Sequence, residues 1–414
     1  MAQRFEELCG YSLADSLPRL FDGESGNEKL HLDYFETISS LFDSAWNIQY
    51  QNRLHGMQMN YTGHMLWEEE IFKHPAMYGD VLRNLGAMDI PGCDLLSSLP
   101  EMIRHAGACK VASSAAHLYG KRHVMIEASN MFDKDPALTL DDVCLAMAIE
   151  FALGVDTITS YYGENIFSDE EYKRFNAYVA RLGQLFDGGV HQTQALIYYP
   201  FKQVAAVSTV QKPVKADERA KKIAQSFDAL SGRLLEKQID FDYINDEWLL
   251  KGTANNGEFL IGNGERPHMI VLPEVDFVPE DTAKKLKEAM NAGIRVIAGG
   301  ARHTIVGLED CGKLRFVGED GLPESRDFTA EMSFPYLLCM HKRFEDQEIY
   351  LLVNTGNTKI ETEASIPCAY DGLTELCIQT GNVKKVVTDQ DMERLHFTFE
   401  LEPRRAVVLV NQQG

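Results

Sequence analysis

The sequence predicts an α/β protein with three successive regions, and three patterns in the chain support this prediction. Short apolar segments alternate with helical ones at first, which is typical of a parallel sheet or barrel. A second strand–helix–strand unit begins near Gly188 and predicts a small open α/β domain. From about residue 330 the segments become short alternating strands separated by turn residues, which predicts a β-sandwich. We place the region boundaries at 1–190, 191–328 and 329–414.

The first region alternates strands with helices, and two of its helices carry clear start signals. Thr139 with Asp142, and Ser168 with Glu171, have the spacing of a helix capping box. The predicted strands are 57–66, 86–96, 123–129 and 155–162, and the predicted helices are 110–121, 138–154 and 168–188.

The second and third regions differ in the period of their apolar residues. In the second region Asn263–Gly264, between short apolar runs, predicts a tight hairpin. Its predicted strands are 194–200, 268–275 and 293–300, and its predicted helices are 215–237 and 279–292. The third region shows no helical period, and its predicted strands are EIYLLVNTG, KIETEASIP, LTELCIQTG, LHFTFELEP and RAVVLVNQ.

Charge and composition exclude several classes of function. The 414 residues include 62 acidic and 40 basic ones, giving a formal net charge of −22. Such acidity disfavours nucleic acid and anionic membrane surfaces, because both are bound through Lys and Arg. Neutral ligands such as sugars remain possible. No apolar run is long enough for a transmembrane helix, and no signal peptide is recognisable.

The cysteine spacing and the common motifs for nucleotides, zinc and a nucleophilic serine give no sign of a bound cofactor. The eight cysteines are scattered, without a CxxC pair or a zinc-finger spacing, which fits a reduced cytoplasmic protein. The patterns GxxxxGK[ST], HExxH and G-x-S-x-G are all missing from the sequence. We therefore expect neither a cofactor nor a metal centre.

Glu127 is the most informative single residue. It ends the apolar segment VMIE, where a lone carboxylate would be costly to bury unless it is paired or functional. In a parallel barrel, the carboxyl ends of the strands face the active site. The alternative is a strand-end Glu that simply reaches solvent or an arginine.

The segment HGMQMNYTGHMLWEEE carries a second group of polar residues. An aromatic ring and carboxylates together suit a sugar, since the ring packs on its apolar face and the carboxylates bind hydroxyls or exchange protons. The alternative is a solvated acidic helix start. The candidates in this segment are His55, His64, Trp67, Glu68 and Glu69.

Two further candidates follow predicted strands. Asp94 comes after Ile-Pro-Gly-Cys at a strand end, and Tyr161 ends the strand 155–162. For Tyr161 the alternative is core packing with a satisfied hydroxyl. His117, within the helix 110–121, is interpreted as structural.

The ordered motifs YGDVLRNLGAMDIPGCDLL, KVASSAAHLYGKRHVMIEAS, FALGVDTITSYY and GGVHQTQALIYYP resemble clan A glycoside hydrolases, which have a (β/α)8 barrel. The resemblance is strongest to the alpha-L-rhamnosidase-like enzymes of family 106 and their bacterial relatives. It implies that Glu127 is the nucleophile or base. It matches His64 to the family's Gly-His pair, Glu68 or Glu69 to the Glu that follows, and Asp94 to the "PG-D" position.

One departure from this family concerns the barrel itself. Relatives carry an earlier region with the first half of the barrel and the acid/base Glu, and no such segment occurs in this sequence. We therefore expect a partial (β/α) barrel of about four strands. A partner chain, or a second copy in a homo-oligomer, would complete it.

The functional expectation is hydrolysis of a neutral glycoside, of rhamnoside or galactoside type, by two carboxylates. Glu127, Glu68 and Glu69 are the expected catalytic residues. The expected sugar-binding residues are His64, Trp67, Asp94, Tyr161 and His55. The alternative is an inactive carbohydrate-binding or assembly protein with the same scaffold. Calcium binding by the acidic segment 133–135 is left open.

Overall fold

The structure is a computed structural model that describes residues 1–21, 26–99, 107–131, 138–162, 166–210, 218–300, 304–317, 321–391 and 393–413. The acidic segment 133–135 lies outside the described residues, as do the first residues of the predicted helix 215–237. None of the described helices is both long and apolar enough to cross a lipid bilayer. All eight cysteines lie within the described residues, and none forms a disulfide.

The chain begins with helices that the sequence patterns did not reveal. They are α1 (Ala2–Cys9), α2 (Leu13–Phe21), α3 (Glu28–Phe42) and α4 (Ile48–His55), with a turn of π-helix at Asp43–Asn47. Helix α4 ends at His55, a turn and irregular residues follow it, and the predicted strand 57–66 is reduced to β1 (Thr62–Gly63). This prediction was wrong for most of the strand's length.

A four-stranded parallel sheet follows, in the order β1-β2-β3-β4, and forms a curled half-barrel. Its further strands are β2 (Ile90–Leu95), β3 (Met125–Ala128) and β4 (Thr157–Ser160). The helices of this region are α5 (His74–Met77), α6 (Val81–Gly86), α7 (Gly107–Leu118), α8 (Leu140–Ala152) and α9 (Asp169–Phe186). The parallel strands confirm the predicted fold class for this region.

Both predicted capping boxes are present. Thr139 accepts a hydrogen bond from the Asp142 backbone N–H at the start of α8, and the Asp142 carboxylate bonds back to Thr139. Ser168 and Glu171 do the same for α9. Each pair satisfies backbone donors that the first helical turn leaves unpaired, which explains why sequence located these two helix starts accurately.

The second region is an open parallel sheet. The short strand β5 (Val190–His191) precedes it, and the sheet contains β6 (Ala195–Tyr198), β7 (Phe241–Ile244), β10 (Met269–Leu272), β11 (Arg295–Gly299) and β12 (Arg315–Val317). The strand order is β12-β11-β10-β6-β7. Its helices are α10 (Phe201–Val207), α11 (Glu218–Glu236), α12 (Asp246–Lys251) and α13 (Glu280–Asn291).

Two tight turns lie side by side in this region. The hairpin of β8 (Thr253–Asn255) and β9 (Glu258–Leu260) turns at Asn256–Gly257, where both residues have positive φ. The predicted turn at Asn263–Gly264 is also tight, and the Ile261 N–H donates across it to the Glu265 carbonyl. The sequence prediction identified the second turn and missed the first.

The third region consists of two antiparallel sheets packed face to face. One has the order β13-β16-β20-β19, and the other has the order β18-β17-β21-β15-β14-β5. The strands are β13 (Thr329–Ala330), β14 (Leu337–Arg343), β15 (Gln347–Asn354), β16 (Ile360–Pro367), β17 (Gly372–Cys377), β18 (Val383–Lys385), β19 (Asp389–Gln390), β20 (Arg394–Leu401) and β21 (Arg405–Gln412). Apolar side chains of both sheets form the core between them.

The larger antiparallel sheet is buried on both faces. On β15, Tyr350 and Leu352 enter the core between the sheets, whereas Ile349, Leu351 and Val353 join the main core on the other face. Helix α8 packs against this second face. The run of consecutive apolar residues in β15 therefore reflects burial on both sides.

Candidate active site

Three polar side chains meet at the carboxyl ends of adjacent parallel strands. His64 directly follows β1, Asp94 lies near the end of β2, and Glu127 lies near the end of β3. Asp94 and Glu127 are paired in register, so their side chains lie on the same face of the sheet. One ligand atom from each of the three residues lies within 4.8 Å of the others. We call His64, Asp94 and Glu127 the strand-end cluster.

The strand-end cluster is accessible from solvent. The side chain of His64 is 25% exposed and that of Glu127 is 28% exposed. The His64 Nε2 and Glu127 Oε2 atoms are 3.6 Å apart, which is a charge contact rather than a hydrogen bond. Both side chains therefore present part of their surface to solvent, where a ligand can contact them.

Glu68 holds His64 from the buried side. Its side chain is 2% exposed, and its Oε1 lies 3.1 Å from His64 Nδ1. The same Nδ1 lies 2.6 Å from the Met65 carbonyl, so it carries a proton that it donates to both oxygens. The hydrogen bond to Glu68 raises the pKa of His64 to about 9, and burial raises the pKa of Glu68. Below pH 9, the titrating Nε2 therefore presents a positive charge to Glu127.

Asp94 has an unsatisfied oxygen. Within the part of the chain that the structure describes, no hydrogen-bond partner reaches its buried Oδ1. Burial raises the pKa of Asp94, His64 opposes this shift, and Glu127 adds to it. Burial also raises the pKa of Glu69, and Asp94 raises that pKa further. A raised pKa favours the protonated form of a carboxyl group, which is the form that can donate a proton.

The two aromatic candidates lie on either side of this edge. Trp67 has a positive φ of 60°, which is unusual for a residue with a bulky side chain. The ammonium of Lys73 sits 3.9 Å from the centre of its ring and covers one face. Tyr161 is 60% exposed just after β4, and its backbone N–H donates to the Ala128 carbonyl.

His55 is not part of the strand-end cluster. It ends α4 and bonds Asp89, with 2.8 Å between Nε2 and Oδ2. Asp89 precedes β2, so this pair lies at the amino end of the sheet, opposite the strand-end cluster. The structure therefore brings together His64, Asp94, Glu127, Glu68 and Glu69, and leaves His55 elsewhere.

The sequence prediction missed a second group of histidines and carboxylates. His117 lies beside His191, Asp242 and Glu265, and one ligand atom from each lies within 4.8 Å of the others. We call these four residues the interdomain cluster. The segment IDFDYI could have revealed it, because it places Asp240 and Asp242 in and next to a fully buried strand.

Comparisons with known proteins place the fold among glycoside hydrolases. The sequence matches no protein-family model and no curated protein. Among solved structures, a rhamnosidase from Novosphingobium sp. PP1Y matches with a TM-score of 0.73 and 19% identity. A beta-galactosidase from Bacillus circulans sp. alkalophilus matches with a TM-score of 0.61 and 11% identity, over 99% of this chain and 73% of that one. An exo-carrageenase GH42 from Bacteroides ovatus gives 0.58 and 12%, over 100% and 62%.

The matched region is a larger fraction of this chain than of the structures that it matches. The rhamnosidase match covers 100% of this chain but 43% of the rhamnosidase. At this level of identity the likeness concerns fold alone. The predicted resemblance to clan A glycoside hydrolases is confirmed at that level. The chain has the fold of TIM-barrel glycoside hydrolases, with a parallel half-barrel among its described residues.

Proposed function

We propose that the strand-end cluster is the active site of a glycoside hydrolase that acts on a neutral glycoside. The observation that carries this proposal is the meeting of His64, Asp94 and Glu127 within 4.8 Å at the carboxyl ends of three parallel strands. Active sites of barrel enzymes lie at this edge. The net charge of −22 favours an uncharged substrate such as a rhamnoside or galactoside.

Glu127 and Asp94 form the carboxylate pair of the proposed mechanism. Glu127 attacks the anomeric carbon, while Asp94, whose pKa is raised by burial, protonates the leaving oxygen. Water then cleaves the glycosyl–enzyme ester, with Asp94 acting as the base. Carboxyl groups roughly 5–5.5 Å apart are typical of retaining enzymes. The Asp94 and Glu127 oxygens lie within 4.8 Å, which favours retention.

Glu68 has a positioning role in this proposal. Because its side chain is 2% exposed and bonded to His64, it cannot reach a glycosidic oxygen without breaking that contact. It fixes the His64 ring, whose Nε2 lies 3.6 Å from Glu127 Oε2. Glu69 is a second candidate proton donor. The half-buried ring of Trp67 and the exposed Tyr161 are the surfaces proposed for the sugar ring.

Aryl rhamnosides and galactosides test the proposal through release of the coloured phenol. Replacing the catalytic carboxylate in Glu127→Gln should lower kcat/KM by about 10²- to 10⁴-fold, and Asp94→Asn should do the same. The matched control is Glu361→Gln, whose side chain is 67% exposed in the sandwich. Turnover that survives Glu127→Gln would overturn the assignment of Glu127.

A carbohydrate-binding or assembly protein is the second candidate function. It is favoured by the four-stranded parallel sheet of the described residues, which has β1 and β4 at its two ends. Thr159 and Ser160 of β4 are exposed at one end of this sheet. Here a partner chain or a second copy would supply further strands. Saturable sugar binding without turnover, together with a dimer mass by light scattering, would favour this candidate over hydrolysis.

A further inference from the structure

The interdomain cluster joins all three regions of the chain. His117 lies on α7 of the half-barrel region, and His191 lies on β5, which pairs with the C-terminal strand β14. Asp242 lies on β7 of the second region, and Glu265 follows the turn at Asn263–Gly264. Four separate segments thus bring two imidazoles and two carboxylates to one point.

The four side chains are buried with short separations. His117 is 13% exposed, and the other three are at most 2% exposed. His117 Nδ1 lies 2.7 Å from Asp242 Oδ2 and 3.4 Å from Glu265 Oε1. His191 Nδ1 lies 3.1 Å from Glu265 Oε1. Ligands bound tetrahedrally at about 2.0–2.1 Å stand roughly 3.3 Å apart, which is near the separations of 3.1 and 3.4 Å and longer than the 2.7 Å contact of His117 with Asp242.

A second layer of polar groups orients the four. His191 Nε2 lies 2.6 Å from the Asp240 carboxylate, which accepts from Lys110 Nζ at 3.0 Å. Ser114 donates to Asp242 Oδ1 at 3.1 Å. A carboxylate on the outer nitrogen of a histidine is the usual support of a zinc-binding imidazole, because it fixes the ring and its tautomer.

The turn before Glu265 packs closely against α7. A Cβ atom on Gly262 would stand 1.9 Å from the Leu118 carbonyl oxygen, so only glycine fits there without a shift. Asn263 donates from Nδ2 to Glu265 Oε1 at 3.0 Å, while its Oδ1 accepts from the Glu265 backbone N–H. This turn therefore sets Glu265 beside His117 with little freedom.

We propose that the interdomain cluster binds one Zn²⁺ ion through His117 Nδ1, His191 Nδ1, Asp242 Oδ2 and Glu265 Oε1. Imidazole and carboxylate are ligands that zinc accepts, and a four-ligand site buried from solvent is typical of structural zinc. The cation and Lys110 together balance the carboxylates of Asp240, Asp242 and Glu265. The ion would link α7 of the first region to three segments of the second region, one of which, β5, pairs with β14 of the third region.

Zinc titration of the full chain tests this proposal. After dialysis against a chelator, Zn²⁺ alone should bind with a stoichiometry of one per chain and raise Tm, since it binds the folded state. Co²⁺ in its place should give the visible absorption of a four-coordinate ion. His117→Gln should abolish both signals, whereas the control His55→Gln, at the exposed Asp89 pair, should retain them.

Two results would overturn the proposal. One is the lack of stoichiometric zinc binding by the wild-type chain, which would leave the cluster as a set of ion pairs. The other is binding that persists in His117→Gln but is lost in His64→Gln, which would move the ion to the strand-end cluster. If His117→Gln fails to fold, as judged by circular dichroism, Glu265→Gln provides the same comparison with a ligand of equal size.

Discussion

The strand-end cluster and the interdomain cluster are made of the same residue types but differ in their surroundings. His64 and Glu127 are about one-quarter exposed, and Asp94 keeps a buried oxygen without a partner among the described residues. In the interdomain cluster, Asp242 and Glu265 are fully buried, and each contacts several donors. Side chains with unused hydrogen-bonding atoms can bind a substrate, whereas side chains whose polar atoms are all paired within the protein stabilise the fold.

The difference between the two clusters distinguishes a binding site from a structural charge network when both consist of histidine and carboxylate side chains. Buried charges must be paired, so a saturated cluster is expected wherever charges hold two regions together. A group left unsatisfied at a strand end is instead available to a ligand. The following changes test this distinction, beginning with the largest expected effect.

Asp242→Asn should destabilise the protein by about 3–5 kcal/mol, because it removes one member of a buried charge network. Burial raises the pKa of Asp242, but His117 and Lys110 outweigh this effect and hold the pKa well below its ordinary value. The free energy of unfolding from urea titrations measures this effect. Glu127→Gln, at the accessible cluster, should change that free energy by less than about 1 kcal/mol. Equal losses of unfolding free energy in Asp242→Asn and Glu127→Gln would contradict the proposed difference between the two clusters.

Glu68→Gln should lower the pKa of His64 from about 9 toward its ordinary value of 6.5, because the negative partner of Nδ1 is lost. NMR titration of the histidine ring protons measures the shift. A raised pKa in the folded state stabilises the protein at low pH, and this contribution disappears as pH rises through 9. The variant should therefore lose less stability than wild type between pH 7 and pH 10.

A matched control for this change is Glu70→Gln. Glu70 lies two residues away and pairs with Lys73, with 2.8 Å between the charged atoms. It should leave the pKa of His64 near 9. An equal shift in both variants would show that general charge, rather than the Glu68 hydrogen bond, sets the protonation of His64.

His55→Ala should have the smallest effect. Its ion pair with Asp89 is half-exposed, and pairs of this kind contribute about 0.2–1 kcal/mol. Urea unfolding should show a change in that range, with unaltered sugar binding. A loss of sugar binding would place His55 in the site after all and contradict the position that the structure gives it.

Local signals predicted much of the fold. The capping boxes at Thr139 and Ser168 fixed two helices, because their hydrogen bonds involve only neighbouring residues. The strand 57–66 was predicted too long, since nothing in the local pattern marks where α4 ends and β1 begins. The hairpin at Asn256–Gly257 carried an equally local signal that was overlooked.

The candidate site was predicted in part for a similar reason. Glu127 and Asp94 could be predicted as neighbours because parallel strands bring their carboxyl ends to one edge. The burial of Glu68 behind His64 could not, because it depends on how residues 65–70 fold back after β1. The interdomain cluster depends on contacts among four distant segments, which no local pattern encodes.

The pairing of β5 with β14 has a consequence for the order of folding. His191 leaves the ribosome long before the strand that aligns it, because Lys342 and Arg343 of β14 lie in the last quarter of the chain. Domains generally fold as they emerge during synthesis. The half-barrel and the middle sheet can thus form early, yet their junction stays incomplete until β14 has been synthesised. Assembly of the three regions therefore depends on a strand that is made long after His191.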